Sequence, residues 1–147
     1  MRTERRSLPD EAATEALGAE LARVTPPGGT WLLRGELGAG KTTWVRGFLA
    51  GLGGDPDQVA SPTYAVLHRY QAPGCHLFHL DLYRLGEGGS WSLGLEEQVL
   101  PTDYLVVEWA GHDGPWPTPW VAELEFTPCG EGREAELTVP VSQDGAS

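Results

Sequence analysis

The feature that most constrains this chain is the run Gly35-Glu36-Leu37-Gly38-Ala39-Gly40-Lys41-Thr42. Glycines at these spacings let successive backbone N–H groups curl around phosphate oxygens. A helix that begins at the lysine aims the positive end of its dipole at the same anion. In this pattern Lys41 reaches the β- and γ-phosphates of a nucleotide, and the Thr42 hydroxyl binds Mg2+. With 20 Gly, one Lys and 17 Ser plus Thr in the chain, the pattern arises by chance with a frequency of roughly 0.002. The flanks agree with it. Thr30 to Arg34 reads as a short buried strand, and Lys41 to Leu52 as a helix with Trp44, Phe48 and Leu52 on one face, ended by Gly53-Gly54. Lys41 is the only lysine against nine arginines, and it sits where a phosphate cradle takes a compact ammonium.

A P-loop of this kind also needs an acid at the end of a neighbouring buried strand, to hold Mg2+ through water. Leu105-Val106-Val107-Glu108 supplies it, and Glu108 is the expected metal-side acid beside Thr42. In His79-Leu80-Asp81-Leu82-Tyr83-Arg84, His79 and Asp81 share one face of a strand. Asp81 either orients water or the metal shell, or pairs structurally with Arg84. Pro62 restricts Ser61 to extended geometry and so presents Thr63 in one direction, as a candidate sensor of the γ-phosphate.

Composition narrows the partners. The net charge is −11, with nine acids and nine bases in residues 1 to 84 and twelve acids against Arg133 alone in residues 85 to 147. Such a surface repels phosphate backbones, so direct, tight nucleic-acid binding is not expected. The acidic part is either a solvated face or a patch that meets a basic partner. No apolar run approaches a membrane span. Asp10, Glu11, Glu15 and Glu20 interrupt the stretch where a signal peptide would be apolar. The expected compartment is the cytoplasm, with no membrane partner. Cys75 and Cys129 have no CxxC companion, and with His68, His76, His79 and His112 they make no credible metal cluster.

The expected fold is α/β: a single P-loop domain over residues 1 to 147, with a mixed, mostly parallel sheet flanked by helices and an added C-terminal β-hairpin. Ser7 is the expected N-cap of a first helix with Ala13, Leu17, Leu21 and Val24 at helical spacing, stopping at Pro26-Pro27. Strands are expected at Tyr64 to Tyr70, His76 to Leu82, Tyr104 to Glu108, Val121 to Phe126 and Glu134 to Val139. A short helix is expected at Leu93 to Leu100, and a proline-rich loop at His112 to Pro119. Residues 1 to 6 and 143 to 147 are expected to fray.

The ordered motifs GELGAGKTT (35 to 43), SPTY (61 to 64), HLDLYRL (79 to 85), LGLEE (93 to 97) and VEW (107 to 109) resemble the TsaE family over about Leu8 to Val139. The resemblance implies a bacterial ATPase needed to make N6-threonylcarbamoyladenosine at position 37 of tRNA, acting with the TsaB and TsaD proteins and meeting tRNA only through them. Carried over by position, it implies that Gly38, Ala39, Gly40, Lys41, Thr42 and Thr43 hold the phosphates of ATP, and that Thr42 and Glu108 hold Mg2+. Thr63 and Asp81 become switch and catalytic-support residues, with Trp109 a neighbour of the metal site. The segment Leu8 to Glu11 and the late Arg133 become adenine contacts. The chain departs from the family's pattern after VEW, in Gly111-His112-Asp113-Gly114 and the prolines beyond.

Other nucleotide readings fit less well. A GTPase needs an Asn-Lys-x-Asp base reader, and this chain has no asparagine. A P-loop kinase for a small metabolite needs an acceptor pocket and an arginine-bearing lid; Arg84 is the only base in residues 84 to 92. A nucleotide-dependent interaction module with little turnover overlaps the family reading.

Overall fold

The structure, a computed structural model, describes residues 2–35, 40–59, 67–81, 98–108 and 120–140. Seven strands form one sheet: β1 (Arg2–Leu8), β2 (Thr30–Arg34), β3 (Leu67–Ala72), β4 (Cys75–Asp81), β5 (Tyr104–Glu108), β6 (Val121–Cys129) and β7 (Gly132–Val139). Their order is β1-β7-β6-β2-β5-β4-β3. The four central strands β6, β2, β5 and β4 run parallel to one another, and β1, β7 and β3 are added antiparallel at the flanks. The parallel centre brings the carboxyl ends of β2, β5 and β4 to one edge of the sheet, where open α/β sheets bind ligands.

Two helices, α1 (Glu11–Val24) and α2 (Lys41–Gly51), pack on each other and on one face of this sheet. Side-chain alternation explains the choice of face. Trp31 and Leu33 of β2, Leu77 of β4, Val106 of β5 and Leu124 of β6 meet Leu17, Leu21, Trp44, Val45 and Phe48 of the helices. Leu32, Phe78, Leu80, Leu105 and Val107 turn to the opposite face and form a second cluster with Leu67, Val99 and Val121. The helices approach closely because Gly18 lies on the backbone of Trp44, Gly47 on that of Glu15, and Gly51 on that of Ala19. A Cβ at any of the three would clash with a backbone oxygen. This contact fixes α2, and with it the position of Lys41.

Several expectations are corrected. Residues 2 to 6 do not fray: Arg2 to Leu8 pairs residue by residue with Val139 to Arg133. Ser7 is consumed in that ladder, opposite Glu134, so it does not cap α1. Asp10 does, accepting a hydrogen bond from Ala13 N at 2.8 Å. Val24 follows the helical spacing but is 69% exposed. The strand after residue 66 runs on to Ala72, leaving Pro73-Gly74 as the turn, with Gly74 at φ +76°. The closing hairpin is longer than expected, through Cys129 and from Gly132. The helix expected at Leu93 to Leu100, the loop at His112 to Pro119 and the frayed end at 143 to 147 lie wholly or mostly outside the described residues. No helix among the described residues is long and apolar enough to cross a membrane.

Candidate nucleotide site

β2 delivers the chain into Gly35 at the carboxyl edge of the sheet, and α2 leaves from Gly40. Gly40 caps α2 in the left-handed region, at φ +103°, which a side chain would strain. No side chain caps this helix end. A helix start without a side-chain cap offers backbone N–H groups of the kind that suit an anion.

Lys41 opens α2 and is only 6% exposed. Its Nζ donates to the Gly35 carbonyl at 3.0 Å and lies 3.7 Å from Glu108 Oε1. A buried ammonium of this kind is retained where it has acceptors to serve. Glu108 ends β5 beside Leu33 of β2 on one side and Asp81 of β4 on the other. The parallel register thus places the two acids the sequence singles out on neighbouring strands. Glu108 Oε2 accepts a 2.7 Å hydrogen bond from His79 Nε2. Burial opposes the charged form of Glu108. The hydrogen bond and electrostatic attraction from the His79 ring, and then the Lys41 ammonium, outweigh it, and the carboxyl is held below the usual carboxylate range. The Tyr70 hydroxyl of β3 faces His79 Nδ1 at 3.5 Å. Burial, then the charge of Glu108, push that hydroxyl up to about 12, so it stays protonated.

Two further residues reach the turn from elements distant in sequence. Arg133, at the start of β7, lays its guanidinium against Gly40: a Cβ there would stand 3.1 Å from Arg133 Nη1. Glu11, at the start of α1, accepts a hydrogen bond from Thr43 Oγ1 at 3.4 Å. The pairing of Leu8 with Arg133 holds both elements in place.

Of the residues singled out from sequence, the fold brings together Gly40, Lys41, Thr42, Thr43, Asp81, Glu108 and Arg133. Gly38, Ala39, Thr63 and Trp109 lie outside the described residues. The sequence reading places His79 on the same face as Asp81 but assigns it no part, and it leaves Tyr70 as an ordinary strand residue. The period-two spacing of His79 and Asp81 before a strand end was the signal available for the first. Nothing local signals the second.

The donor set fits a magnesium nucleotide. Among the described residues no three His, Cys, Asp or Glu side chains cluster to hold a metal by themselves. Mg2+ does not require that: it is commonly held by one or two carboxylates with substrate phosphates and water. Thr42 and Glu108 supply a hydroxyl and a carboxylate at one end of the turn.

Residues 8–134 match the family model described as "Threonylcarbamoyl adenosine biosynthesis protein TsaE". The tRNA threonylcarbamoyladenosine biosynthesis protein TsaE of Synechocystis is 40% identical over 74% of this chain and 62% of its own length. Its Bacillus subtilis namesake is 40% identical over 66% of this chain and 60% of its own length. The chain thus spans about three-fifths of those relatives, whereas for the Nostoc protein of the same name, 36% identical, the shares are 89% and 83%. The crystal structure of Bacillus subtilis YdiB superposes with a TM-score of 0.72 at 26% identity, covering 94% of this chain and 86% of that one. With a mixed sheet whose parallel strands bring Glu108 to the start of α2, and a family model matched over most of its length, the chain belongs to the TsaE family.

Proposed function

We propose that this protein binds ATP with Mg2+ and hydrolyses it as a component of the bacterial machinery that makes N6-threonylcarbamoyladenosine in tRNA. The observation that carries the reading is the meeting of Lys41, Glu108 and the uncapped start of α2 at one point of the sheet edge. In this reading Gly38, Ala39, Gly40, Lys41, Thr42 and Thr43 hold the phosphates. Lys41 exchanges the Gly35 carbonyl for phosphate oxygens and neutralises charge that grows on them. Thr42 and Glu108 hold Mg2+, which when bound screens the phosphates and orients them. Asp81 and Thr63 orient the attacking water and sense the γ-phosphate. Arg133, whose guanidinium lies against Gly40, contacts the nucleotide from that side.

The same reading makes TsaB and TsaD the protein partners, reaches tRNA only through their complex, and places the protein in the cytoplasm. The family membership supports the pathway. The charge of −11 argues against a direct hold on tRNA. The isolated chain should turn ATP over slowly, and an arginine supplied in trans raises such rates by roughly 10³–10⁵. The test is ADP release by the chain alone and with the TsaB–TsaD complex, together with tRNA binding at physiological salt. Stimulation by the complex is expected. Full turnover without partners, or submicromolar tRNA binding by the chain alone, defeats the proposal.

A further inference from the structure

Glu108 and Lys41 are opposite charges, both largely buried, yet they stand 3.7 Å apart rather than at the 2.7–2.9 Å typical of a charge-assisted hydrogen bond. A closer contact lies on the other side of the carboxylate. His79, 3% exposed and on β4, donates Nε2–H to Glu108 Oε2 at 2.7 Å. We propose that His79 is a positioning residue: it holds the Glu108 carboxylate off Lys41, so that one oxygen stays turned toward the metal side. The inference rests on the reading of Glu108 as the Mg2+-side acid.

The surroundings leave His79 little choice of orientation. It pairs with Val106 in register, so its ring reaches diagonally to Glu108, two residues on and on the same face of the sheet. The rings of Tyr70 and His68 on β3 lie 6.2 and 6.4 Å from the His79 ring, and they stack on each other. Tyr70 faces Nδ1. A carboxylate cannot donate, so Nε2 carries the hydrogen in this contact. A buried histidine satisfied for packing alone requires only some acceptor. This one is bonded to the acid whose other oxygen faces the sole lysine of the chain. Groups that orient a metal's ligands change metal affinity or activity by about 10- to 100-fold when removed.

The experiment is calorimetric ATP binding in EDTA and across a Mg2+ titration, with thermal melts to establish folding. His79→Leu should raise the Mg2+ midpoint by about 10-fold or more and leave metal-free ATP affinity within about three-fold. His79→Gln, whose Nε2 can stand where the imidazole Nε2 stands, should recover most of the shift; His79→Asn, one methylene shorter, should not. An unchanged midpoint in folded His79→Leu overturns the positioning role. If His79→Leu does not fold, the Gln and Asn pair decides, and equal midpoints in the two overturn it. Glu108→Ala separates the two layers. A wild-type midpoint there overturns the metal-side reading of Glu108, and the role of His79 with it. A shifted Glu108→Ala beside an unshifted His79→Leu overturns the role of His79 alone.

Discussion

At the carboxyl edge of β2, β5 and β4, Lys41, His79 and Glu108 keep polar groups almost out of solvent. In the β1-β7-β6 extension of the same sheet Arg5 meets Glu136, and across its border with β2 Arg34 meets Glu123, with both partners of each pair well exposed. The second arrangement costs little and gains little, because water screens exposed pairs and flexible side chains lose entropy in forming them. Desolvation makes the first arrangement expensive, and removing one partner strands the others. Glu123, Glu125, Glu134 and Glu136 follow the exposed pattern, on the sheet face turned away from the helices. Part of the chain's acidity is therefore spread over a solvated surface, while Lys41, His79 and Glu108 converge on one buried point.

That contrast breaks most sharply at Lys41. Lys41→Ala should abolish hydrolysis and weaken ATP binding by about 10- to 150-fold, since a hydrogen bond to a charged group is worth roughly 1.5–3 kcal/mol. Unchanged turnover in a folded variant would remove the phosphate-cradle reading.

Glu108→Ala should raise the Mg2+ midpoint by about 10-fold or more while metal-free nucleotide affinity changes less, and Thr42→Ala should act in the same direction. A wild-type midpoint in a Mg2+ titration would pass the role to Asp81, its neighbour in register. The same carboxylate shapes stability against pH. Its folded-state pKa is depressed, so its contribution is present in full above the ordinary carboxylate pKa and is lost as pH falls through the lower folded value. Urea melts of wild type and Glu108→Gln should therefore converge as the solution is acidified into that range. A gap that widens on acidification contradicts the sign.

Asp81→Ala and Thr63→Ala should lower turnover about ten-fold or more with ATP affinity within a few-fold, as for groups used in the transition state. Affinity lost at constant turnover per bound ATP would make them binding or structural residues. The smallest effect belongs to the exposed side: Arg34→Ala should cost only about 0.2–1 kcal/mol in a denaturant melt, less at high salt. A larger loss would erase the distinction between the two regions.

Much of the site was legible before the fold. The glycine-rich run, Lys41, Thr42 and the apolar run ending in Glu108 are local patterns, and β2, α2 and β5 formed where those patterns put them. The start of the chain was not legible. Arg2 to Leu8 is charged and short, and its strand exists because β7 offers a free edge to pair with. The capping of α1 moved for the same reason, since Ser7 was taken into the ladder and Asp10 was left to accept from Ala13.

By itself the sequence determined that a strand and a helix flank the glycine-rich segment, and that the only lysine opens that helix. Local sterics and hydrogen bonding set such steps, and neighbours along the chain carry the information. Tertiary structure alone decided that Asp81 stands beside Glu108, that Arg133 lies on Gly40, and that His79 bonds the Glu108 carboxylate near Lys41. Those contacts join residues far apart in sequence. They depend on strand order and register, which are settled by the burial of two faces of one sheet and by the close crossing of α1 and α2.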